Sequence, residues 1–461
     1  MEFPTLTPTL LARHDRPGPR YTSYPTALEF TPDFGPEDHR RRLEALADTS
    51  DALSLYVHLP FCEKRCTFCA CHVVVGATES LADRYLAAVS AEIATVARIL
   101  GPGRRFAQLH WGGGTPTFHS PAVLAALHAT ITRYFEPDVS AEMAIEVDPR
   151  VTTAEHLEAL VSLGFNRLSV GVQDIDAGVQ DLIGRHQTRV ETERLVDEAR
   201  RAGFRSINLD LVYGLPGQSV DSFGRTLDAV LELRPERLAV YSFAYVPWMR
   251  THQRRIDPAS LPDRDTKFEL LCQLVATLGA AGYVHIGMDH FAVASDELAI
   301  AAHERTLGRN FMGYTVARDA DVVAFGTSAI SELGGAHAQN HRRLADYLAS
   351  ALSGALPVER GRAPSGEDLL RRSVITDLMC HASVDLAAVA ARFGVDPVVV
   401  FGSEIETLTR PGGLVDEGLA TVTGLTVSAT ELGRFFVRRL AMVFDQYLNQ
   451  HADAPRFSRT I

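Results

Sequence analysis

The segment Leu55–Cys71, which reads LYVHLPFCEKRCTFCAC, joins a short apolar stretch to four closely spaced cysteines. The apolar stretch Leu55–Leu59 predicts a β-strand, and the cysteine spacing that follows is C-x3-C-x2-C-x-C. Thiolates this close in sequence can converge on one metal centre, and soft sulfur ligands favour zinc or an iron–sulfur cluster. Structural zinc is usually held by two separated ligand pairs, and no second CxxC pair occurs in the chain. The spacing therefore favours an iron–sulfur cluster over zinc.

Apolar runs alternate with amphipathic segments from Ser54 onward. The runs are short and rich in Val, Ile or Leu, which predicts strands, and the segments between them are apolar along one stripe, which predicts helices. The predicted strands are Leu55–Leu59, Phe106–Trp111, Ala141–Val147, Arg167–Val172, Ser206–Val212 and Arg237–Phe243. The predicted helices are Leu81–Leu100, Pro121–Tyr134, Thr153–Leu163, Val190–Ala202 and Ser219–Leu233.

Six βα units in succession predict an α/β protein with a parallel sheet and right-handed crossovers. The pattern leaves open whether this sheet is open and doubly wound or curved into a partial barrel. In either arrangement, reactive groups are expected in the loops at the carboxyl ends of the strands. The cysteine loop follows the first predicted strand and therefore belongs to that edge of the sheet.

The two ends of the chain depart from this alternation. Residues 1–47 are expected to form an extended arm, because prolines 17, 19 and 25 oppose a continuous helix, followed by a short helix from Pro36 to Leu46. Residues 48–285 are expected to form the core. Residues 286–362 are expected to extend it, with extended pieces at Ile286–Phe291 and Ala324–Ser328. Residues 363–461 are expected to form a smaller, mainly helical domain resembling a winged helix, whose last helix covers Glu431–Tyr447.

The composition excludes several classes of protein. With 461 residues, 46% of them hydrophobic and 22% charged, the chain is globular. A formal net charge of −12 opposes broad binding to nucleic acid. No apolar run reaches the length of a membrane helix, and the first ten residues do not read as a secretory leader. Six cysteines, four of them within ten residues, give no disulfide framework, so we expect a reducing cytoplasm. We also expect a monomer.

The cysteine loop and the motifs around it resemble the radical S-adenosylmethionine (SAM) superfamily. The motifs are RYTSYPT (20–26), LYVHLPFC (55–62), LHWGGGTPT (109–117), IEVDPR (145–150), FNRLSVGVQ (165–173), NLDLVYGLP (208–216), IGMDHF (286–291), RNFMGYT (309–315) and FSRTI (457–461). They are similar to those of the oxygen-independent coproporphyrinogen III oxidases, also called dehydrogenases. The resemblance covers nearly the whole chain and implies a partial (β/α)6 barrel of the radical SAM type.

The resemblance implies the cofactors and the residues that bind them. Cys62, Cys66 and Cys69 match the three ligands of a [4Fe–4S] cluster whose fourth iron binds SAM, and Cys71 matches a cysteine that does not ligate. The family's site resembles one with two SAM molecules. The positions matching the cluster-bound molecule are Tyr56, Gly113, Glu146 and Ile330. Those matching the second molecule are Phe68, Gly114, Thr115, Gln173, Arg185, Asp210 and Ala244.

The implied substrate is coproporphyrinogen III, a large apolar macrocycle with four propionates. An electron from the cluster would cleave SAM to methionine and a 5′-deoxyadenosyl radical, which would remove a hydrogen from a propionate β-carbon. Loss of carbon dioxide and one electron then leaves a vinyl group, and two such events on rings A and B give protoporphyrinogen IX. Candidate propionate partners are Arg20 and Arg309. A reductant such as flavodoxin or ferredoxin is implied, and the catalytic residues are not identified by the sequence.

Two alternatives stay open at this point. A haem chaperone of the same superfamily would bind and deliver haem without oxidase activity, but such chaperones typically lack the cysteine at position 71 and the long N-terminal arm. A structural zinc protein would recruit histidines, with His58, His72, His110, His285 and His290 as candidates. Because a carbon radical must be kept from water, we also expect the arm around residues 20–24 and the C-terminal domain to close over the substrate.

Overall fold

The computed structural model describes residues 8–448 and 457–459. In these ranges the strands are β1 (Leu53–Leu59), β2 (Phe61–Cys62), β3 (Val74–Val75), β4 (Arg104–Gly113), β5 (Phe135–Val147), β6 (Arg167–Gln173), β7 (Ser206–Tyr213), β8 (Arg237–Ser242), β9 (Tyr283–Gly287), β10 (His290–Val293), β11 (Gly308–Asn310), β12 (Gly313–Thr315), β13 (Val322–Phe325), β14 (Ile330–Leu333), β15 (Ala336–Asn340), β16 (Val358–Arg362), β17 (Ser383–Asp385), β18 (Ala420–Thr423) and β19 (Thr426–Ala429).

The helices of the same ranges are α1 (Pro8–His14), α2 (Pro36–Ala47), α3 (Glu79–Leu100), α4 (Pro121–Thr132), α5 (Ala154–Ser162), α6 (Ala177–Ile183), α7 (Arg189–Ala202), α8 (Val220–Glu232), α9 (Arg264–Ala280), α10 (Glu297–Glu304), α11 (Leu344–Leu352), α12 (Gly366–His381), α13 (Leu386–Phe393), α14 (Pro397–Thr409), α15 (Glu431–Arg434) and α16 (Val437–Met442). No helix in the described part of the chain is long and apolar enough to cross a membrane.

One twelve-stranded sheet organises the molecule, in the order β16-β15-β14-β13-β1-β4-β5-β6-β7-β8-β10-β9. Its seven central strands, β13 through β8, are parallel to one another. The six predicted strands are β1 and β4 to β8, and they lie side by side in chain order. A doubly wound sheet would reverse this order, so that alternative is excluded. Residues from β4 to β8 line one interior cavity, which shows that the sheet curves into the predicted partial barrel.

The extension at residues 286–362 differs from the prediction at the turn between β9 and β10. It also supplies β13, a parallel strand that was not predicted to pair with β1. Ile286–Phe291 is not one extended piece: it spans the turn between β9 and β10, where Met288 has a φ of 39°. The expected piece Ala324–Ser328 overlaps β13, which pairs parallel with β1. A four-residue strand that completes a sheet built elsewhere carries no local signal of its partner, so its pairing was not predictable.

The N-terminal arm is tied to the end of the chain. The segment around prolines 17 to 25 is extended, as predicted. The expectation that the whole arm is extended is wrong, because the helix α1 precedes this segment. Pro8 is the first residue of α1, a position where proline is tolerated. The buried Tyr21 donates a hydrogen bond to Asp445 (2.9 Å), and the Gln446 N–H donates one to the Tyr24 hydroxyl (3.1 Å).

In the described part of the C-terminal region, the five helices α12 to α16 accompany a small sheet of order β17-β19-β18. The expected single helix over Glu431–Tyr447 is wrong, because α15 and α16 are separate and the helix breaks at Phe435–Phe436. Gly433 in α15 lies so close to Leu419 that an added Cβ would meet its carbonyl oxygen at 1.7 Å, which fixes α15 against the strand region and not in line with α16. The terminal motif is described only at residues 457–459.

Candidate active site

The cysteine loop lies at the carboxyl end of β1 and returns to it. The Val74 N–H donates to the Pro60 carbonyl (2.8 Å), and β2 pairs with β3, so both ends of the loop are held together. Cys66 is buried, Cys62 and Cys69 are half-buried, and Cys71 is exposed. The Cys62 Sγ lies 3.4 Å from the Thr115 hydroxyl, and the Arg185 guanidinium donates to the Cys66 Sγ at 3.7 Å.

The donor set of this loop fits an iron–sulfur cluster. A hydrogen bond from the Cys71 thiol, helped by the charges of Arg65 and Arg250, lowers the pKa of Cys69 to about 7. Burial raises the pKa of Cys62 to about 11, and the charges of the other two thiolates act in the same direction, so the three sulfurs lie within electrostatic range. Each thiolate of a four-iron cluster binds a different iron atom, so its ligands need not converge on one point.

The described residues are arranged less well for zinc. They contain no group of three His, Cys, Asp or Glu side chains gathered around a single metal position. Three of the five nominated histidines have other partners: His58 donates to the His72 carbonyl (2.9 Å) and His285 to that of Met288 (3.0 Å). His110 lies 3.2 Å from a carboxylate oxygen of Glu146. These side chains serve hydrogen bonds within the fold.

The three consecutive glycines after β4 are each pressed against a different neighbour. A Cβ on Gly112 would lie 2.7 Å from the Glu146 carboxylate, and one on Gly113 would lie 2.4 Å from the His58 ring. A Cβ on Gly114 would lie 2.5 Å from the backbone of Pro60. The Gly114 N–H donates to the Leu59 carbonyl and the Thr115 N–H to that of Phe61, both at 2.9 Å. The glycine loop therefore packs directly on the cysteine loop.

Two carboxylates that line the interior cavity, Glu146 on β5 and Asp210 on β7, differ in their environments. The Gly113 N–H and His110 hydrogen-bond to Glu146, and together they lower its pKa even though burial acts in the opposite direction. Burial raises the pKa of Asp210 to about 7, with a further contribution from the charge of Glu146. Asp210 accepts hydrogen bonds from Ser169 (3.1 Å) and Asn208 (2.8 Å). One carboxylate is thus ionised and the other partly protonated near neutral pH.

The Asp210 carboxylate predicts a measurable pH dependence of stability. Between pH 4 and 7 the folded chain holds a proton on Asp210 that the unfolded chain has lost, so stability falls as pH rises through this window. We expect Asp210→Asn to lack this contribution, so that between pH 5 and pH 7.5 the variant loses about 2–3 kcal/mol less stability than the parent. Urea unfolding at the two pH values measures it. Identical pH profiles for parent and variant would contradict the assignment.

Arg185 is a buried residue that connects Asp148, just after β5, to Gly171 in β6. Its guanidinium pairs with Asp148 at 3.1 Å and donates to the Gly171 carbonyl at 2.7 Å, with only 7% of the side chain exposed. A Cβ on Gly171 would meet both Arg185 and the side chain of Gln173, which has a φ of 69° at the end of β6. These contacts place Gln173 and Arg185 together beside the cysteine loop.

The remaining predicted residues lie on both flanks of this group. Tyr56 donates to His58 (3.0 Å) and stacks on His110 with ring centroids 5.8 Å apart. Ile330 begins β14, two strands from Tyr56, and has no direct contact with the cysteine loop in the described interactions. Phe68 packs in a small apolar cluster with residues of β7 and α6. The carbonyl of Ala244 accepts a hydrogen bond from Gln253 (3.1 Å).

The sequence analysis did not predict the contacts that His252 and Gln253 make with the cysteine loop. Gln253, which is fully buried, also donates to the Phe68 carbonyl (3.2 Å), so it joins the loops that carry Phe68 and Ala244. The neighbouring His252 lies 2.8 Å from the carbonyl oxygen of Cys69. Both residues belong to the 3-10 turn Thr251–Arg255, more than 180 residues from the cysteines. No pattern in the sequence marks this pairing.

The amino end of the barrel is closed by an ion-pair network. Arg167 contacts Glu142 at 2.7 Å and also pairs with Glu297. Arg237 contacts Asp296 at 2.9 Å and Glu297 at 3.2 Å. Glu142, Arg167 and Arg237 also line the interior cavity, so the network forms its floor.

Comparisons with known proteins agree with this geometry. The sequence model of the Radical SAM superfamily matches residues 56–230, and that of the HemN C-terminal domain matches residues 365–436. These matches define the class of protein as a radical SAM enzyme.

Curated relatives extend the likeness over the whole chain. The oxygen-independent coproporphyrinogen III oxidase of Pseudomonas aeruginosa is 43% identical over 98% of both chains, and that of Escherichia coli K12 is 42% identical over 98% of both. A solved structure described as coproporphyrinogen III oxidase (HemN) from Escherichia coli, a radical SAM enzyme, superposes with a TM-score of 0.88 at 41% identity and covers 93% of this chain and 98% of its own. The chain therefore belongs to the oxygen-independent coproporphyrinogen III oxidases.

Membership confirms the predicted class, fold and enzymatic nature, and it implies a [4Fe–4S] cluster, SAM and coproporphyrinogen III as the family's cofactors and substrate. The predicted boundaries at residues 47, 285 and 362 are tested by none of these comparisons and stay a prediction. The same holds for the individual site residues.

Proposed function

We propose that this enzyme converts the ring A and B propionates of coproporphyrinogen III to vinyl groups, giving protoporphyrinogen IX in haem biosynthesis. The observation that carries the proposal is the direct packing of the three-cysteine loop on the glycine loop, beside Glu146, at the carboxyl edge of the partial barrel. This edge is where parallel α/β barrels hold their reactive groups.

Cys62, Cys66 and Cys69 hold the cluster in this proposal and leave one iron open. When bound, the cluster supplies the electron that splits SAM into methionine and a 5′-deoxyadenosyl radical. The chain surrounds these sulfurs with positive charge, since Arg185 contacts Cys66, and Arg65 and Arg250 act on Cys69. Positive charge of this kind stabilises thiolates over thiols.

Two SAM molecules are assigned to the residues around the cluster. Tyr56, Gly113, Glu146 and Ile330 would bind the first. The ionised Glu146 is suited to an amine, and the glycine allows close approach of the backbone. Phe68, Gly114, Thr115, Gln173, Arg185, Asp210 and Ala244 would bind the second. Arg185 is already paired with Asp148, so a SAM carboxylate would have to share or replace that partner.

Arg309 is better placed than Arg20 to bind a propionate. Arg20 forms an ion pair with Asp289, whereas the Nε and Nη1 of Arg309 are buried and have no hydrogen-bond partner among the described residues. The Arg309 guanidinium lies 4.6 Å from the ring centre of Tyr314, which lines the interior cavity, while Arg309 itself lines a second cavity. A carboxylate would satisfy both unpartnered groups.

We expect Arg309→Gln to raise the KM for coproporphyrinogen III about tenfold or more, because one charge-assisted hydrogen-bond pair is lost. Arg309→Lys keeps the charge and should recover part of the affinity. Steady-state kinetics with saturating SAM measures both, and the deoxyadenosine formed without substrate serves as the control. An unchanged KM in Arg309→Gln would rule out its role.

Entry of the macrocycle requires a movement of the arm or of the C-terminal segment. The interior cavity has a volume of about 150 Å³, whereas ligand sites usually offer roughly 300–1,000 Å³. The arm crosses this region: Arg20 lies 5.7 Å from the ring centre of Tyr241, and Arg438 donates to the Pro19 carbonyl at 2.9 Å. Closure of these segments over bound substrate would exclude water from the radical.

Deletion of residues 1–30 should abolish vinyl formation while the cluster still assembles.

We further propose a monomer that receives electrons from a flavodoxin- or ferredoxin-type protein. The experiment that tests the function is anaerobic incubation with coproporphyrinogen III, SAM and a strong reductant. Formation of protoporphyrinogen and 5′-deoxyadenosine supports it. Haem binding without turnover would instead support the chaperone, against which the presence of Cys71 and the ordered arm already count.

A further inference from the structure

One face of the cysteine loop carries a concentration of positive charge that contrasts with the rest of the chain. The segment 62–72 contributes Lys64 and Arg65 against one acid, Glu63, and the segment 248–256 contributes Arg250, Arg254 and Arg255 with no acid. Lys64, Arg65, Arg254 and Arg255 are exposed. The whole chain has a formal net charge of −12, so this basic rim, formed by Arg65, Arg250, Arg254 and Arg255, is a local exception.

The basic rim is continuous with the cysteine loop. His252 contacts the Cys69 carbonyl at 2.8 Å, and Gln253 donates to that of Phe68. The charges of Arg65 and Arg250 both act on the Cys69 thiol, and those of Arg65, Arg250 and Arg255 act on the His252 ring. A charged partner on this rim would therefore come next to the cluster ligands.

Two large apolar side chains stand beside the rim. Trp248 is 48% exposed and Met249 is 52% exposed, immediately before Arg250. The other tryptophan, Trp111, is fully buried. Exposed Trp and Met with arginines around them are typical of protein–protein contact surfaces, where a central apolar anchor lies within a polar rim. A small substrate would need a concave site instead.

We propose that Trp248, Met249 and the basic rim form the docking surface for an acidic flavodoxin-type electron donor. The apolar pair suits contact with the apolar edge of a flavin, since sulfur and aromatic groups pack well against rings. One electron passes from the flavin hydroquinone anion, which becomes the neutral semiquinone, to the oxidised cluster. No bond forms or breaks, and no proton is transferred. The inference rests on the proposed cluster at Cys62, Cys66 and Cys69.

The test measures reduction of the cluster by flavodoxin hydroquinone in stopped flow. We expect the double variant Arg254→Glu, Arg255→Glu to lower the second-order rate constant about 10- to 100-fold at low ionic strength and to weaken the salt dependence of that rate constant. Trp248→Ala should weaken binding of oxidised flavodoxin about tenfold, measured by titration calorimetry. The matched control reverses two exposed arginines at the opposite, amino end of the barrel: Arg98→Glu and Arg133→Glu.

Each result decides the proposal. Loss of the flavodoxin-dependent rate with normal reduction by dithionite, and normal deoxyadenosine formation in dithionite, supports the docking surface. Equal rates of reduction by flavodoxin in the rim variant and the control variant would overturn it. A slower reduction of the rim variant by ferredoxin, with reduction by flavodoxin unchanged, would overturn it as well. A raised KM for coproporphyrinogen III with dithionite as reductant would overturn it too, because the rim would then be a substrate entrance. A protein without the cluster's visible absorption would instead refute the proposed function.

Discussion

Cys66→Ser is expected to abolish cluster assembly and to reduce vinyl formation to less than about a thousandth of the parent rate. Cys66 is the buried member of the three proposed ligands, and its sulfur is contacted by Arg185. A serine hydroxyl is a far poorer ligand for iron than a thiolate, so one corner of the cluster would lose its anchor. Iron and sulfide analysis of anaerobically purified protein, with its visible spectrum, measures the loss.

Two other cysteines provide the controls for this prediction. Cys272 lies half-buried on α9, away from the loop, and Cys272→Ser should keep full iron content. Cys71→Ser tests the assignment within the loop, because Cys71 hydrogen-bonds Cys69 but is not a proposed ligand. Normal iron content in Cys66→Ser, or loss of iron in Cys71→Ser alone, would show that the ligand set is wrong.

Gly114→Ala is expected to destabilise the protein by about 2–3 kcal/mol and to lower activity about a hundredfold or more. The added Cβ would lie 2.5 Å from the Pro60 carbonyl carbon and 2.7 Å from the Phe61 carbonyl oxygen, and backbone cannot swing aside as a side chain can. The glycine loop would therefore separate from the cysteine loop. Urea unfolding and the anaerobic assay measure the two effects.

Gly402→Ala is the matched control for the glycine loop. Gly402 lies inside α14, and nothing is within 4 Å of the position its Cβ would take. Alanine in a helix interior should stabilise the protein by about 0.5–1 kcal/mol and leave activity unchanged. If Gly114→Ala behaved like Gly402→Ala, the packing of the two loops would not matter for the site.

Local periodicity was sufficient for the six parallel strands and the helices between them, whereas the choice of a partial barrel over an open sheet came from the family resemblance. Each of these strands and helices is predicted by the hydrophobic pattern within its own segment. The predicted strands Leu55–Leu59 and Arg167–Val172, for example, fall within β1 and β6. Pairings with distant elements were not recoverable in this way. β13 joins β1 from more than 260 residues away, and the hairpin at Met288 depends on a backbone conformation that methionine rarely adopts.

The candidate site shows the same division. The cysteines and glycines were visible because their chemistry and spacing are local. The resemblance added Glu146, Arg185 and Asp210, whose roles no isolated residue could indicate. Two contacts arise from the fold alone, because each joins loops that follow different strands. They are the ion pair of Arg185 with Asp148 and the hydrogen bond from Gln253 to the Phe68 carbonyl.

The most direct test of the account is the transfer of hydrogen from substrate. Coproporphyrinogen III with deuterium on the β-carbons of its propionates is incubated anaerobically with the enzyme, SAM and dithionite, and the 5′-deoxyadenosine is examined by mass spectrometry. The account predicts deoxyadenosine that carries one deuterium, formed together with vinyl product. Vinyl product accompanied by unlabelled deoxyadenosine, or formed without any deoxyadenosine, would contradict it.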